Sequence, residues 1–264
     1  MRLSYKLYPF QSNVEGKKSI GDIIILHGLF GSSKNWVTVA KTLSAFGSVY
    51  TLDQRNHGDS PHSSEHSIPL LADDLEEFIS DHALKSPILI GHSMGGLVAM
   101  YFDFAHPGVL KELIIQDISP RSYPFAYENE IKSMSFSLNG FSSRTEIDTE
   151  MAKFLPDTFI RQFLQMSLDR MESGEYRWKL NVSGLNKARR VFESAFSETV
   201  ISKTKTIFLI GGKSEYITKE DLVLIQKVFS NLVIKIIPEG GHYIHFTHQK
   251  EYLQILSDEF ALIS

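Results

Sequence analysis

The sequence predicts a doubly wound α/β fold built on a mostly parallel sheet, and three observations carry that expectation. Short apolar runs rich in β-branched residues recur at 23–26, 88–90, 113–115, 207–210 and 233–237. Runs that are apolar throughout, rather than alternating, fit strands covered on both faces. Segments of helical spacing lie between them, so strand and helix alternate along the chain. At 264 residues, with 42% hydrophobic and 22% charged residues, the chain is long enough for one large domain with a full core.

The elements follow in order. Leu3, Tyr5 and Leu7 alternate with polar residues, as in an exposed edge strand. Ile23-Ile24-Ile25-Leu26 is the first buried strand, and Val49-Tyr50-Thr51-Leu52 a weaker candidate. Leu71, Leu75, Phe78 and His82 repeat at helical spacing behind Ser67, a suitable N-cap. Asp73 and Asp74 lie early in that segment, where the helix dipole favours acids, and with Glu76 and Glu77 they read as a solvated face. Residues 97–102 are apolar nearly all round and predict a buried helix that stops at His106-Pro107-Gly108. Leu222, Ile225 and Val228 mark another helix, and the stretch from Gln249 to the C-terminus the last.

Between about Ser119 and Lys203 the alternation breaks. This stretch has helical patterning, no clear strand and many aromatic and methionine residues, among them Tyr127, Phe159, Phe163 and Met166. The expected organisation is a core at 1–118, a helical cap insertion at 119–203 and the remainder of the core at 204–264. Lying over the C-terminal edge of the sheet, the insertion could wall an apolar pocket, while at least half of its aromatics form its own small core.

Composition narrows the function. A net charge of −4 gives no electrostatic reason to expect nucleic acid or an anionic membrane as partner. With no cysteine, disulfides, thiolate catalysis and cysteine metal sites are excluded. Met1 to Lys6 lack the apolar core of a signal peptide, and no apolar stretch nears the ~20 residues of a membrane span. The expectation is a soluble cytoplasmic protein with no stable membrane insertion; its oligomeric state is not legible. The histidines lack metal-ligand spacing: His62 and His66 are four apart, in polar loop surroundings. Asp53, Arg55 and His57 read as shaping a turn, with Asp53 and Arg55 as a candidate ion pair. Lys187, Arg189 and Arg190 read as surface charges, with a coenzyme A phosphate as their alternative ligand.

The chemistry concentrates at Gly91-His92-Ser93-Met94-Gly95. This Gly-x-Ser-x-Gly pattern sits between an apolar run and a helical one, the context of a sharp strand–turn–helix that lifts a serine hydroxyl above a sheet. Side chains at either glycine would crowd such a turn. A serine needs a base to take its proton, and the base a carboxylate to orient it. Of ten histidines, His242 is the candidate base: it follows the last apolar run, in Gly240-Gly241-His242, C-terminal to Ser93. His245 and His248 are close in sequence but should face elsewhere. The oxyanion needs backbone donors. Met94 N–H, just after the serine, is the first, and Leu29 N–H, in His27-Gly28-Leu29-Phe30-Gly31, the second; His27 itself braces that loop.

Together with the segment Leu52 to Ser60 and Asp117-Ile118-Ser119-Pro120, these motifs resemble the α/β-hydrolase-fold serine esterases. More narrowly, His-Gly-Leu-Phe-Gly-Ser and Asp-x-Arg-Asn-His-Gly-x-Ser are similar to small bacterial esterases related to the mammalian abhydrolase-domain-11 proteins. The likeness covers nearly the whole chain and is weakest at 121–203. It implies an α/β-hydrolase fold and hydrolysis of carboxylic esters or acyl thioesters, with fatty acyl-CoA among the candidate substrates and no cofactor. In most enzymes of this fold the acid follows the strand placed here at 206–210, but this chain reads Gly211-Gly212-Lys213-Ser214-Glu215, with serine in the acid's place and Glu215 one residue late. Asp117, after the preceding strand, is favoured over Glu215, as the resemblance to esterases that carry the acid there implies, with Ser214 as an auxiliary hydrogen-bonding group. The alternatives are a carbon–carbon bond hydrolase or perhydrolase using the same triad, or a ligand-binding member of the fold without activity.

Overall fold

The computed structural model describes residues 1–11, 16, 18–193, 196 and 200–262. Seven strands form the central sheet: β1 (Tyr5–Tyr8), β2 (Ile23–Leu26), β3 (Val49–Leu52), β4 (Ile88–His92), β5 (Glu112–Gln116), β8 (Lys205–Gly211) and β9 (Leu232–Ile237). Their spatial order is β1-β3-β2-β4-β5-β8-β9. β1 runs antiparallel to β3 at the edge, as the Leu3, Tyr5, Leu7 alternation implies, and the other pairs are parallel. The weaker candidate at 49–52 is thus a full member of the sheet. It looked weak because it is short and carries Tyr50 and Thr51, not because it lacks partners.

The continuous apolar runs have a direct cause. Alternate residues along each strand enter two separate cores. Ile24, Leu26, Leu89, Leu113, Ile115 and Phe208 pack with α2 (Ile68–Asp81), α3 (Met94–Ala105) and α8 (Lys219–Val228). Ile23, Ile25, Ile88, Ile90, Ile114 and Leu209 pack on the opposite face with α1 (Val37–Leu43) and α10 (Gln249–Ala261). The last helix was expected to run to the C-terminus; residues 263–264 lie outside the described ones. Because the strands are parallel, the loops after β2, β4, β5, β8 and β9 all leave from one end of the sheet, where ligands of such folds bind.

Between β5 and β8 lie α4 (Glu128–Met134), α5 (Arg144–Met151), α6 (Thr158–Gln165), the strands β6 (Leu168–Arg170) and β7 (Tyr176–Trp178), and α7 (Val182–Lys187). The antiparallel β6–β7 hairpin corrects the expectation of a purely helical insertion. Gly174, at φ +88°, makes its turn, while Arg177 pairs with Asp169 and the Arg170 guanidinium lies over the Tyr176 ring across the strands. At three residues each, the strands are too short for alternation to stand out. Residues 194–195 and 197–199 of the expected insertion lie outside the described ones. α9 (Ile244–Thr247) follows the β9 loop.

Two charge readings also change. Asp74 is not on a solvated face: it is 1% exposed and accepts hydrogen bonds from Arg55 Nε at 2.6 Å, Arg55 Nη2 at 2.8 Å and the Met1 ammonium at 2.9 Å. Arg55 therefore pairs with Asp74 and not with Asp53, whose oxygens accept the backbone N–H groups of Ser33 at 2.6 Å and Asp59 at 3.0 Å. A helix-face reading could not find this, because the partner comes from the loop after β3. Asp74→Ala leaves a buried guanidinium without its counter-charge and should cost about 3–5 kcal/mol of stability, read as a fall in the urea midpoint.

Candidate active site

Ser93 follows β4 and caps α3 with φ 52° and ψ −120°, a conformation that a non-glycine residue holds only under strain from its surroundings. The turn is tight on both sides. A Cβ on Gly91 would come within 2.4 Å of the Gly95 carbonyl oxygen, and one on Gly95 within 2.5 Å of that of Leu26. The glycines of the motif are thus fixed by the approach of neighbouring backbone.

The structure brings Asp117 and His242 together. His242 Nδ1 donates to Asp117 Oδ2 at 2.8 Å. Asp117 is fully buried and also accepts from the Gly211 N–H at 3.0 Å and from the Ser214 hydroxyl. Its own backbone, at φ 54°, is tied to the Leu209 carbonyl at 3.0 Å. Glu215 is exposed, lines the cleft beside Ser93 and makes no hydrogen bond to His242 among the described residues. Ser93, His242 and Leu29 line one small cavity, Ser93 and His242 sharing it without a direct hydrogen bond among the described residues. The N–H groups of Leu29 and of Met94, the first residue of α3, find no acceptor among the described residues. They are free to serve an oxygen placed above Ser93.

The loop carrying Leu29 is braced by two buried histidines. His27 Nε2 accepts the Gln54 N–H at 3.0 Å while Nδ1 donates to the Gly28 carbonyl at 2.8 Å. His57 Nε2 accepts the Phe30 N–H at 3.2 Å while Nδ1 donates to the Arg55 carbonyl at 2.8 Å. Each ring uses one nitrogen as acceptor, so each is neutral. Burial pushes His27 down to about 4 and His57 well below the ordinary histidine value. The expected bracing by His27 is therefore joined by His57, both as structural groups.

The His242 loop is held by residues that the sequence did not single out. His92 Nε2 donates to the His242 carbonyl at 3.0 Å, and Gln116 Nε2 reaches the same carbonyl at 3.2 Å. The Tyr216 ring stacks on the His242 ring with centroids 3.7 Å apart and 13° between planes. His245 Nδ1 meets Gln116 Nε2 at 2.8 Å, and its ring stacks on Trp36. Burial lowers His92 well below its ordinary value and His245 to about 3. The rings nearest His242 are thus uncharged, and none opposes positive charge developing on it.

A family model of the alpha/beta hydrolase family matches residues 23–255, from the first buried strand into the last helix. The chain belongs to the alpha/beta hydrolase family. This hydrolase is 30% identical over 268 residues to the mouse sn-1-specific diacylglycerol lipase ABHD11, covering 98% of this chain and 85% of that protein. It is 29% identical over 273 residues to ethanol acetyltransferase 1 of Cyberlindnera jadinii, covering 92% and 81%. Among solved structures, a marine microorganism esterase superposes with a TM-score of 0.89 at 34% identity, covering 97% of this chain and 98% of that one.

The insertion of this hydrolase supplies the walls of the cavity. Tyr127, Glu130, Ile160, Phe163 and Leu164 line it opposite Ser93, and Tyr127 shares a 2.9 Å hydroxyl contact with Tyr216. Glu130, which the sequence did not single out, has its carboxyl pushed up chiefly by burial, with the nearby Glu128 charge adding to it. Of the basic residues weighed for coenzyme A, Arg189 pairs with Glu128 and Arg190 with Glu193, both at the exposed surface. Among the described residues no cluster of histidine and acidic side chains could hold a metal ion, and no helix is long and apolar enough to cross a membrane.

Proposed function

We propose that this hydrolase cleaves carboxylic esters through an acyl-enzyme on Ser93. The observation that carries the reading is the buried Asp117–His242 pair, 2.8 Å apart, opening on the cavity that Ser93 lines. Ser93 Oγ attacks the ester carbonyl while His242 Nε2 takes its proton. The negative oxygen is held by the Leu29 and Met94 N–H groups. Asp117 keeps Nδ1 protonated, so that Nε2 is the basic nitrogen, and it stabilises the imidazolium that forms. His242 returns the proton to the leaving oxygen, and water repeats the sequence on the acyl-enzyme. No cofactor enters any step.

An acyl thioester could follow the same path, but the exposed arginines are already paired and offer coenzyme A no prepared phosphate site. The relatives' names range from a diacylglycerol lipase to an ethanol acetyltransferase, which supports keeping both long acyl groups and acetyl as candidates.

The test is a fluorophosphonate followed by peptide mass spectrometry. The expected result is a single adduct on Ser93, and well-folded protein that takes no label would refute the acyl-enzyme. The acyl charge gives a second check. With Glu130 lining the cavity, a hemisuccinate ester should react roughly tenfold more slowly than the butyrate ester of the same alcohol. Glu130→Gln should narrow that gap, measured as the ratio of kcat/KM values.

A further inference from the structure

Two cavities share Ser93 and a third adjoins one of them, and they differ in ways that bear on which part of an ester each takes. The chamber shared by Ser93, Leu29 and His242 has a volume of about 20 Å³, where a single water needs roughly 10–15 Å³ on this measure. On the other side of Ser93 lies a more open cleft of about 280 Å³, lined by Ile118, Tyr123, Phe192 and Tyr216, with Arg121 and Glu215 at its rim. Behind the chamber, away from the cleft, lies a third cavity of about 180 Å³ walled by Phe159, Phe163, Met166, Tyr243 and Phe246. Phe163 and Tyr243 line both the chamber and this third cavity.

We propose that the acyl group sits in the small chamber, and that Phe163 and Tyr243 form a partition limiting it to short chains by separating it from the apolar cavity behind. This rests on the ester-hydrolase reading above. The assignment of sides follows from the order of events. The alcohol leaves while the acyl group is still bound to Ser93, so the alcohol needs the side with an opening. The cleft is the larger and the more open of the two. The partition is built to hold. The Phe163 and Tyr243 rings have centroids 5.2 Å apart, and Phe159 backs Tyr243 at 5.3 Å from the far cavity. Phe163 lies on α6 and Tyr243 directly follows His242, so one wall comes from the insertion and the other from the catalytic loop. An acetyl-sized group fills the chamber. A longer one must displace an aromatic ring, and misfit of this kind weighs on each added methylene.

The experiment is a series of p-nitrophenyl esters from acetate to decanoate, assayed with the wild type and with Phe163→Ala, Phe163→Leu and Phe159→Ala. Thermal melts accompany the kinetics. In the wild type, kcat/KM should fall at least about tenfold between butyrate and octanoate. Phe163→Ala joins the two cavities and should raise the octanoate-to-acetate ratio about tenfold or more, with Phe163→Leu intermediate and serving if the alanine variant folds poorly. Phe159→Ala removes the ring that backs Tyr243 and should raise that ratio less than Phe163→Ala does. A wild type that hydrolyses acetate and octanoate equally, or a Phe163→Ala profile matching the wild type, would overturn the partition and leave the esterase reading standing. A wild type inactive on every ester and unlabelled by fluorophosphonate would remove both.

Discussion

Ser93→Ala is expected to lower kcat on p-nitrophenyl acetate by about 10⁶-fold and to abolish fluorophosphonate labelling. The size follows from the arrangement. His242 and Asp117 remain paired at 2.8 Å, but there is no hydroxyl for the base to activate, and only oxyanion stabilisation and binding persist. The fold should be unaffected, because alanine removes one hydroxyl from a turn set by Gly91 and Gly95. Backbone strain gives an independent check on the same residue. At φ 52° and ψ −120° serine and alanine carry the same steric cost, which glycine avoids. Ser93→Gly should be equally inactive yet about 1 kcal/mol more stable than Ser93→Ala, the relief of strain being partly offset by glycine's freedom in the unfolded chain. Loss of stability in the glycine variant would mean that the turn is not strained as described. A kcat drop below about 100-fold in the alanine variant would remove Ser93 from the chemistry.

How much of this was legible in the sequence depends on how local each signal is. The sheet was readable because strands covered on both faces leave unbroken apolar runs such as Ile23-Ile24-Ile25-Leu26, each residue of which is buried. Ser93 was readable because its turn excludes side chains at two fixed offsets, a constraint written within five residues. His242 and Leu29 could be reached by chain order, since each lies in the loop after a recognisable strand. The supporting shell left no such mark. His92 and Gln116 hold the His242 carbonyl from β4 and β5, and Tyr216 stacks on its ring from the loop after β8. These contacts cross about 26 to 150 residues of sequence, and nothing in the local pattern separates such residues from ordinary strand and loop positions. Asp74 was misread for the same reason: its partner, Arg55, sits outside the helix whose periodicity was being followed. The chamber walls were legible only as a class. The insertion's aromatics pointed to a pocket, but which of them reach Ser93 depends on how α6 packs.

Asp117→Asn is expected to lower kcat by about 10⁴-fold with little loss of fold, whereas Glu215→Gln should leave kcat within about threefold of the wild type. The contrast is decisive because both residues were candidates for one role and only one lies against His242. Asparagine is the informative substitution at Asp117. It tolerates the positive φ of 54° there, and its carbonyl oxygen can still accept from the Gly211 N–H. Its amide, however, presents N–H where the second carboxylate oxygen was. His242 must then turn Nδ1 into an acceptor and carry its proton on Nε2, the nitrogen that has to take the Ser93 proton. The ring stays in place and is in the wrong tautomer. Asp117→Ala would blur this result, since it leaves the buried Gly211 N–H and the Ser214 hydroxyl unpartnered, at about 1–3 kcal/mol each. Reading kcat and the melting temperature together separates the two effects. Asparagine should lose rate and keep stability, and alanine should lose both. If Glu215→Gln were the crippling change, the carboxylate serving His242 during turnover would have to come from the exposed loop after Ser214, and the buried Asp117–His242 contact would be a feature of the resting fold alone.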